Sequence, residues 1–314
     1  MNSLSNIQEL LRKKADLQTR LSLIPYTGTP EIKENKSGKY LYMRKRELGK
    51  LTSEYVDKFS DGLYQTLLRY SKEARELKKS IRQIEKELAL LNYVSSELSP
   101  EVQLNLDFAR ANMKANIYAQ AILEGVATTY PQTETIIENG KVSGMRASDV
   151  QKILNLKHAW EFIMDKDVIQ VKTDFYILSY IAGLVNEGFY EQGGRIRGVP
   201  VAIGGSNYVP PIPNEIDIKE AINNIVSSNL SSTSIEKAIE LCLYAMKTQI
   251  FNDGNKRAAV IFANHYLISQ GGGLIVIPEK EVPEFKKLLV EYYENKNTIT
   301  IKTFMKEKCW RKFK

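Results

Sequence analysis

Residues 249–259, QIFNDGNKRAA, set an acid, a Gly-Asn pair and two cations between two segments of helical periodicity. The N–H groups that open a helix have no intrahelical partners and carry the positive end of its dipole, so a loop leading into a helix is a ready seat for phosphate. Gly254 lets backbone approach an oxygen closely, and Asn255 tolerates a strained turn. Lys256 and Arg257 add charge for the same anion, and Asp253 can hold a magnesium ion that bridges phosphate oxygens. These roles place Asp253 and Asn255 on or near the surface. The plainer alternative is a helix-capping loop, with Asn and Asp as caps and solvated cations.

The elements that must position this loop are mainly helical. EKAIELCLYAMKTQIF leads into it and AAVIFANHYLISQGGG leads out, the glycine run ending the second helix. Upstream, LNLDFARANMKANIYAQAILEGV reads as one helix, about residues 103–125, closing near Gly125. ASDVQKILNLKHAWEFIM and TDFYILSYIAGLVNEGF read as two more, with apolar residues at steps of three and four. GGRIRGVPVAIGGSNYVPPIP, with short β-prone pieces, glycine pairs and closing prolines, reads as an exposed hairpin.

The first hundred residues are patterned differently. Leu67, Tyr70, Ala74, Leu77, Ile81, Ile84, Leu88 and Leu91 form a heptad seam in a charged segment, which predicts a long, coiled-coil-like helix. Its expected partner is an N-terminal helix carrying Leu10, Leu17, Leu21 and Ile24, ended by Pro25 and Gly28. Between the two, the period becomes alternating: Tyr40, Tyr42 and Arg44 point one way, Leu41 and Met43 the other, with turn signals at NKSGK and ELGK. A small basic β-ribbon on a helical hairpin follows. Its tyrosines and cations are of the kind that stack on bases and meet phosphates, or that simply cover the hairpin. The Ser/Pro break SSELSP divides the chain into an N-terminal unit, 1–97, and a second domain, 98–314.

Composition sets outer bounds. The 314 residues are 43% hydrophobic, enough for a substantial core and two domains. Net charge is +7, inviting a polyanion, although both signs are abundant. Cys242 and Cys309 have no metal spacing and argue against a disulfide scaffold. No apolar run reaches the ~18 residues of a membrane span, and the start lacks an apolar leader core, so the expectation is a soluble, cytoplasmic protein.

A segment containing IGGSNYVPP, then a helix, IFNDGNKR and a second helix resembles the Fic/Doc, or Fido, family, whose loop is written HxFx(D/E)GN(G/K)R. The resemblance implies a mainly α fold, a Fic-like helical bundle with a β-hairpin flap, here preceded by the helical hairpin with its ribbon. It implies transfer of AMP from ATP onto a Ser, Thr or Tyr hydroxyl of a target protein with magnesium, or of phosphate as in the Doc branch, which Asn-Lys-Arg approaches. Carried over, Phe251 anchors the loop, Asp253 holds magnesium, and Gly254, Asn255, Lys256 and Arg257 receive phosphates. Gly204, Gly205, Ser206 and Tyr208 belong to the target-binding flap.

Three positions depart from the family pattern. Gln249 stands where the family has its histidine, and an amide has no useful basicity; loss of a general base typically costs ~100-fold to 10,000-fold. Val260 stands where many Fic loops carry a second arginine. QAILEGV resembles the inhibitory (S/T)xxxE(G/N) helix, with Glu124 as its glutamate and Gln120 in place of Ser or Thr; Glu124 would then reach Lys256 or Arg257, or stand exposed beside a terminating glycine. His158 and His265 are read as structural. Two functions stay open: a transferase working without the usual base, and a nucleotide- or protein-binding pseudoenzyme. Nucleic-acid contact through the ribbon and a homo-oligomer are open partners.

Overall fold

Alternating apolar steps of three and four build the longest helix of the chain, α2 (Asp61–Leu90), capped by Ser60, whose hydroxyl accepts from Leu63 N–H. The computed structural model describes residues 3–47, 50–91, 93, 98–139, 142–228 and 233–312, which divide into two units, Met1–Ser95 and Ser96–Lys314. The expected SSELSP break lies largely outside the described residues, as does part of the ELGK turn.

In the first unit, α1 (Ser3–Leu23) packs on α2. The seam of α2 buries Leu67, Ala74, Ile81, Ile84 and Leu88 as the heptad predicts, but Ser71 replaces Tyr70. The stripe of α1 is also displaced: Leu10, Leu11, Ala15 and Thr19 are buried, whereas Leu17 and Leu21 are only half-buried. Residues 11, 15 and 19 lie one above another on a helix face, and the small Ala15 in that row lets the neighbouring chain approach.

Strands β1 (Thr29–Asn35), β2 (Gly38–Glu47) and β3 (Lys50–Lys58) form an antiparallel sheet in that order. Leu41 and Met43 are buried with Leu67 and are flanked by Tyr26, Val56, Phe59, Leu63, Tyr64 and Tyr70, which fastens the sheet's inner face to the start of α2. The register steps from Leu41↔Asp57 to Tyr42↔Tyr55, so Val56 is an extra residue in β3, a bulge. Side chains directly opposite share a face, so Tyr40, Tyr42, Tyr55 and Lys58 stand together on the outer face.

The second unit is a helical bundle of α3 (Pro100–Ala111), α4 (Met113–Leu123), α5 (Tyr130–Asn139), α6 (Ala147–Ile163), a single turn α7 (Lys166–Ile169), α8 (Phe175–Val185), α9 (Glu215–Ser227), α10 (Ser234–Thr248), α11 (Asn255–Ser269), α12 (Val282–Tyr293) and α13 (Thr298–Phe304). Two short strands, β4 (Leu274–Ile275) and β5 (Trp310–Arg311), pair antiparallel. The central element is α11, buried from Arg257 to Ile268 and packed by α10, α8, α6, α3 and β4. A helix apolar on every side belongs in the middle of a bundle. Its polar residues are satisfied there: the Asn264 amide exchanges hydrogen bonds with the Ile275 backbone at 2.8 and 2.9 Å, and His265 lies between Thr173 and the Val168 carbonyl.

Two expectations are corrected. The helix read over about 103–125 is broken at Asn112, which caps α3 and opens α4. The Asn112 amide donates back to the Phe108 carbonyl at 2.8 Å, and such local bonding competes with helix continuation. The segment expected as a β-hairpin flap has no strand over residues 197–214. Four prolines, 200, 210, 211 and 213, lack the N–H that a ladder needs, and several of its carbonyls are taken by a guanidinium described below.

Candidate active site

Helix α10 delivers the loop. A capping box at Thr233 and Glu236 starts it, and Gln249 ends it in the left-handed conformation, φ 48° and ψ 58°. That backbone is uncommon for a residue with a Cβ and needs support from its surroundings. Arg197 supplies it. Its guanidinium, 1% exposed, donates from Nε to the Gln249 carbonyl at 2.6 Å and from its remaining nitrogens to the carbonyls of Val199, Pro210 and Pro211. Arg197 N–H also donates to the Ile250 carbonyl, and Ile196 forms an isolated bridge with Phe251. One buried cation therefore ties both arms of the flap segment to the loop.

The Gln249 side chain is turned into its own loop. Its amide donates to the Met246 carbonyl at 2.6 Å, and its oxygen accepts from Asn255 Nδ2 at 3.2 Å. Asn255 is 6% exposed, a correction to its expected surface position: its amide also brackets Phe251, accepting from that N–H at 2.9 Å and donating to that carbonyl at 2.7 Å. Phe251 is buried at 1% exposure. Gly254, at φ 73°, is required twice over, because a Cβ there would lie 2.7 Å from Asn186 Oδ1. Asn186, which the sequence reading missed, donates to the carbonyls of Asp253 and Gly193.

Beyond Gly254 the first α-helical bond is Ala258 N–H to the Gly254 carbonyl, 2.8 Å, so the N–H groups of Asn255, Lys256 and Arg257 have no carbonyl within α11. Around this end the expected charged residues do meet. Arg257 is 1% exposed and donates to the Val185 carbonyl at 2.8 Å and to Asp253 Oδ2 at 3.1 Å. Glu124, the C-cap of α4, places Oε2 3.4 Å from Arg257 Nε and Oε1 3.9 Å from Lys256 Nζ. Its Oε1 has no hydrogen-bond partner, so the contact is charge to charge. Gln120, one turn before, links Trp160 Nε1 to the Arg257 carbonyl. Val260 is 3% exposed and lines a small cavity with Gln120, Leu123, Trp160, Ile275 and Ile277.

The flap residues are engaged elsewhere. Gly205 turns the chain at φ 81°, and Glu294, just past α12, accepts from Ser206 Oγ at 3.3 Å and Asn207 N–H at 3.0 Å. Tyr208 stacks on Tyr293 with ring centres 6.5 Å apart, and Lys247 lies 5.3 Å from the Tyr208 ring. Burial pushes Tyr292 up to about 12 and lowers Lys247 from the ordinary lysine value. His158 contacts Glu187 Oε2 at 3.2 Å, and His265 lies between Thr173 and the Val168 carbonyl.

Asp253 is about half exposed, with a side-chain accessibility of 49%, and is the carboxylate beside the free N–H groups. Among the described residues no cluster of three or more His, Cys, Asp or Glu is placed to hold a metal. A single carboxylate still fits magnesium, which is usually held by one or two carboxylates with phosphate oxygens and water. Among the described residues no helix is long and apolar enough to cross a membrane.

Residues 174–267 match the Fic/DOC family, and residues 4–65 match a domain of unknown function (DUF6788). No curated protein matches the chain. Similar solved structures include Fic-1 (residues 134–508) from C. elegans, 18% identical, with a TM-score of 0.52 over 76% of this chain and 74% of that one. A Fic family protein from Desulfovibrio desulfuricans G20 is 14% identical, with a TM-score of 0.51 over 68% of this chain and 73% of that one. At these identities the likeness establishes the fold.

Proposed function

We propose, from the premise that residues 174–267 form a Fic/DOC-family domain, that the chain binds Mg-ATP at the start of α11 and is silent in transfer in the form described here. The carrying observation is the charge arrangement: Glu124 lies against both Arg257 and Lys256, the cations assigned to phosphate. Nucleotide must then displace a carboxylate from the cations it needs. Gln249 adds a second obstacle, because its amide is engaged at both ends and holds no proton-accepting nitrogen. Asp253 would hold magnesium, which neutralises and bridges phosphate oxygens when bound. Gly254 leaves the backbone open to the anion, and Asn255 keeps the turn in shape by its bonds to Phe251.

A second reading, transfer of AMP or phosphate to a Ser, Thr or Tyr hydroxyl, is favoured by the survival of Asp253, Gly254 and Asn255 in one loop. Titration calorimetry with Mg-ATP, followed by incubation with ATP labelled at the α- or the γ-phosphate, separates the two. The expected result is weak binding and no label for the unaltered chain, and about tenfold tighter binding for Glu124→Gly, the scale of one charged contact. Adding Gln249→His to Glu124→Gly should produce label in protein, rising with pH through the imidazole value of ~6.5. Label on the unaltered chain establishes the transferase reading, and unchanged affinity in Glu124→Gly removes Glu124 from the nucleotide's path.

A further inference from the structure

The charge of this molecule is unevenly divided. Met1–Ser95 carries 19 Lys and Arg against 12 Asp and Glu, whereas Ser96–Lys314 carries 25 against 25, so the whole net +7 belongs to the first unit. Within that unit the ladder register sorts the sheet's side chains. Thr29, Glu31 and Lys33 on β1, Tyr40, Tyr42, Arg44 and Arg46 on β2, and Leu51, Ser53, Tyr55 and Lys58 on β3 share the outer face. Four cations thus surround three tyrosines, with Glu31 as the single acid, and Glu31 lies 3.8 Å from Lys33 and accepts from Ser53.

The rings are accessible and grouped. Tyr55 is 52% exposed; its ring centre lies 5.5 Å from Tyr42, edge-on, and 6.3 Å from Tyr40, tilted. Lys33 Nζ sits 4.4 Å from the centre of the Tyr42 ring. A packing role for these tyrosines is already filled by the other face, where Leu41, Met43 and Val56 lie against Leu67. Grouped rings, one exposed and two half-buried, bordered by cations match what unpaired bases need: π faces for stacking and positive charge for the backbone.

We propose that the outer face of β1–β3 is a binding surface for single-stranded nucleic acid, with bases stacked on Tyr42, Tyr55 and Tyr40 and phosphates met by Lys33, Arg44, Arg46 and Lys58. An acidic peptide would satisfy the cations but leave the rings unused. A duplex would present phosphates but hide its base faces. The surface is sequence-tolerant, because every base has a face to stack.

The test is fluorescence anisotropy with the full chain and a labelled oligo-dT strand, over a range of salt. Tyr42→Ala with Tyr55→Ala should weaken binding by about tenfold or more, while Tyr42→Phe with Tyr55→Phe should stay within about twofold, since the ring is what stacks. Arg44→Gln and Lys58→Gln should each lower the slope of log K against log salt by about 0.7. Thermal melting of each variant separates lost binding from lost folding. Three outcomes overturn the proposal: no binding of oligo-dT near physiological salt, equal affinity of the alanine and phenylalanine pairs, or displacement of the strand as readily by poly-glutamate or duplex as by unlabelled oligo-dT.

Discussion

Arg197 is a buried cation whose guanidinium meets, among the described residues, four carbonyls rather than a carboxylate, those of Val199, Pro210, Pro211 and Gln249. Burial pulls it below the ordinary arginine value, and it stays charged because carbonyl dipoles replace the lost water. Replacing it by methionine keeps the bulk and strands those carbonyls. Arg197→Met should therefore cost roughly 2–4 kcal/mol, and Arg197→Lys should recover only part, since an ammonium cannot reproduce the planar fork. Thermal melting gives the cost, and limited proteolysis should cut first within the loosened flap. A melting point equal to that of the unaltered chain would show the clasp to be dispensable. None of this is legible in GGRIRGVP. Arg195 and Arg197 are two apart, so alternation assigns them one face, yet Arg195 is exposed and Arg197 buried. Burial is decided by the loop at Gln249, 52 residues later. By contrast the burial of Phe251 was legible within its own turn, whereas the packing of Gly254 against Asn186 was not, because Asn186 closes α8 far upstream in the chain.

Helix α10 shows how an element serves the site at its far end. Its capping box is reinforced by Lys306, which, with the Thr233 N–H, holds the Glu236 carboxyl down to about 2. A carboxyl depressed in the folded state stabilises the fold above its unfolded value of ~4.3 and loses that contribution as pH falls toward 2. Glu236→Gln should thus lower the melting point at pH 7, by less as pH falls from 4 toward 2, and leave it nearly unchanged only below pH 2. Thr233→Ala should cost ~1 kcal/mol at any pH above that, the usual worth of an N-cap. Melting curves against pH check both, and a pH-independent effect of Glu236→Gln would remove the Lys306 contact from the account. The long helices were readable because their periodicity is long. The break at Asn112 was not, since ARANMKAN continues the helical period and the competing side-chain bond to Phe108 leaves no trace in pattern. The shift of α1 by one position has a similar cause: Leu11 and Ala15 compete with Leu17 and Leu21 for the face, and packing chooses the smaller pair.

At the scale of the molecule, two units with separate cores and different charge share one chain. Each unit has buried residues of its own: Leu41, Met43 and Leu67 in the first, and those of α11 in the second. A fragment of residues 96–314 should accordingly fold alone, giving a helical spectrum and a single cooperative melt, and should keep whatever nucleotide affinity the full chain has. A fragment that melts broadly or aggregates would mean that the first unit is needed to complete the second. The same cut should move the isoelectric behaviour sharply, since the charge excess leaves with the first unit.

The bulge at Val56 can be described as a slip of phase. Read without interruption, β3 sets Asp57, Tyr55 and Ser53 on one side and Lys58, Val56 and Glu54 on the other, so Tyr55 and Lys58 would never meet. The extra residue makes the strand two half-waves in opposite phase, joined between Leu41 and Tyr42. The outer face thereby gains Tyr55 and keeps Lys58, while Glu54 and Asp57 both go to the inner side. The polarity of the surface is thus written in a one-residue offset, and no change to any of the tyrosines or cations would be needed to erase it.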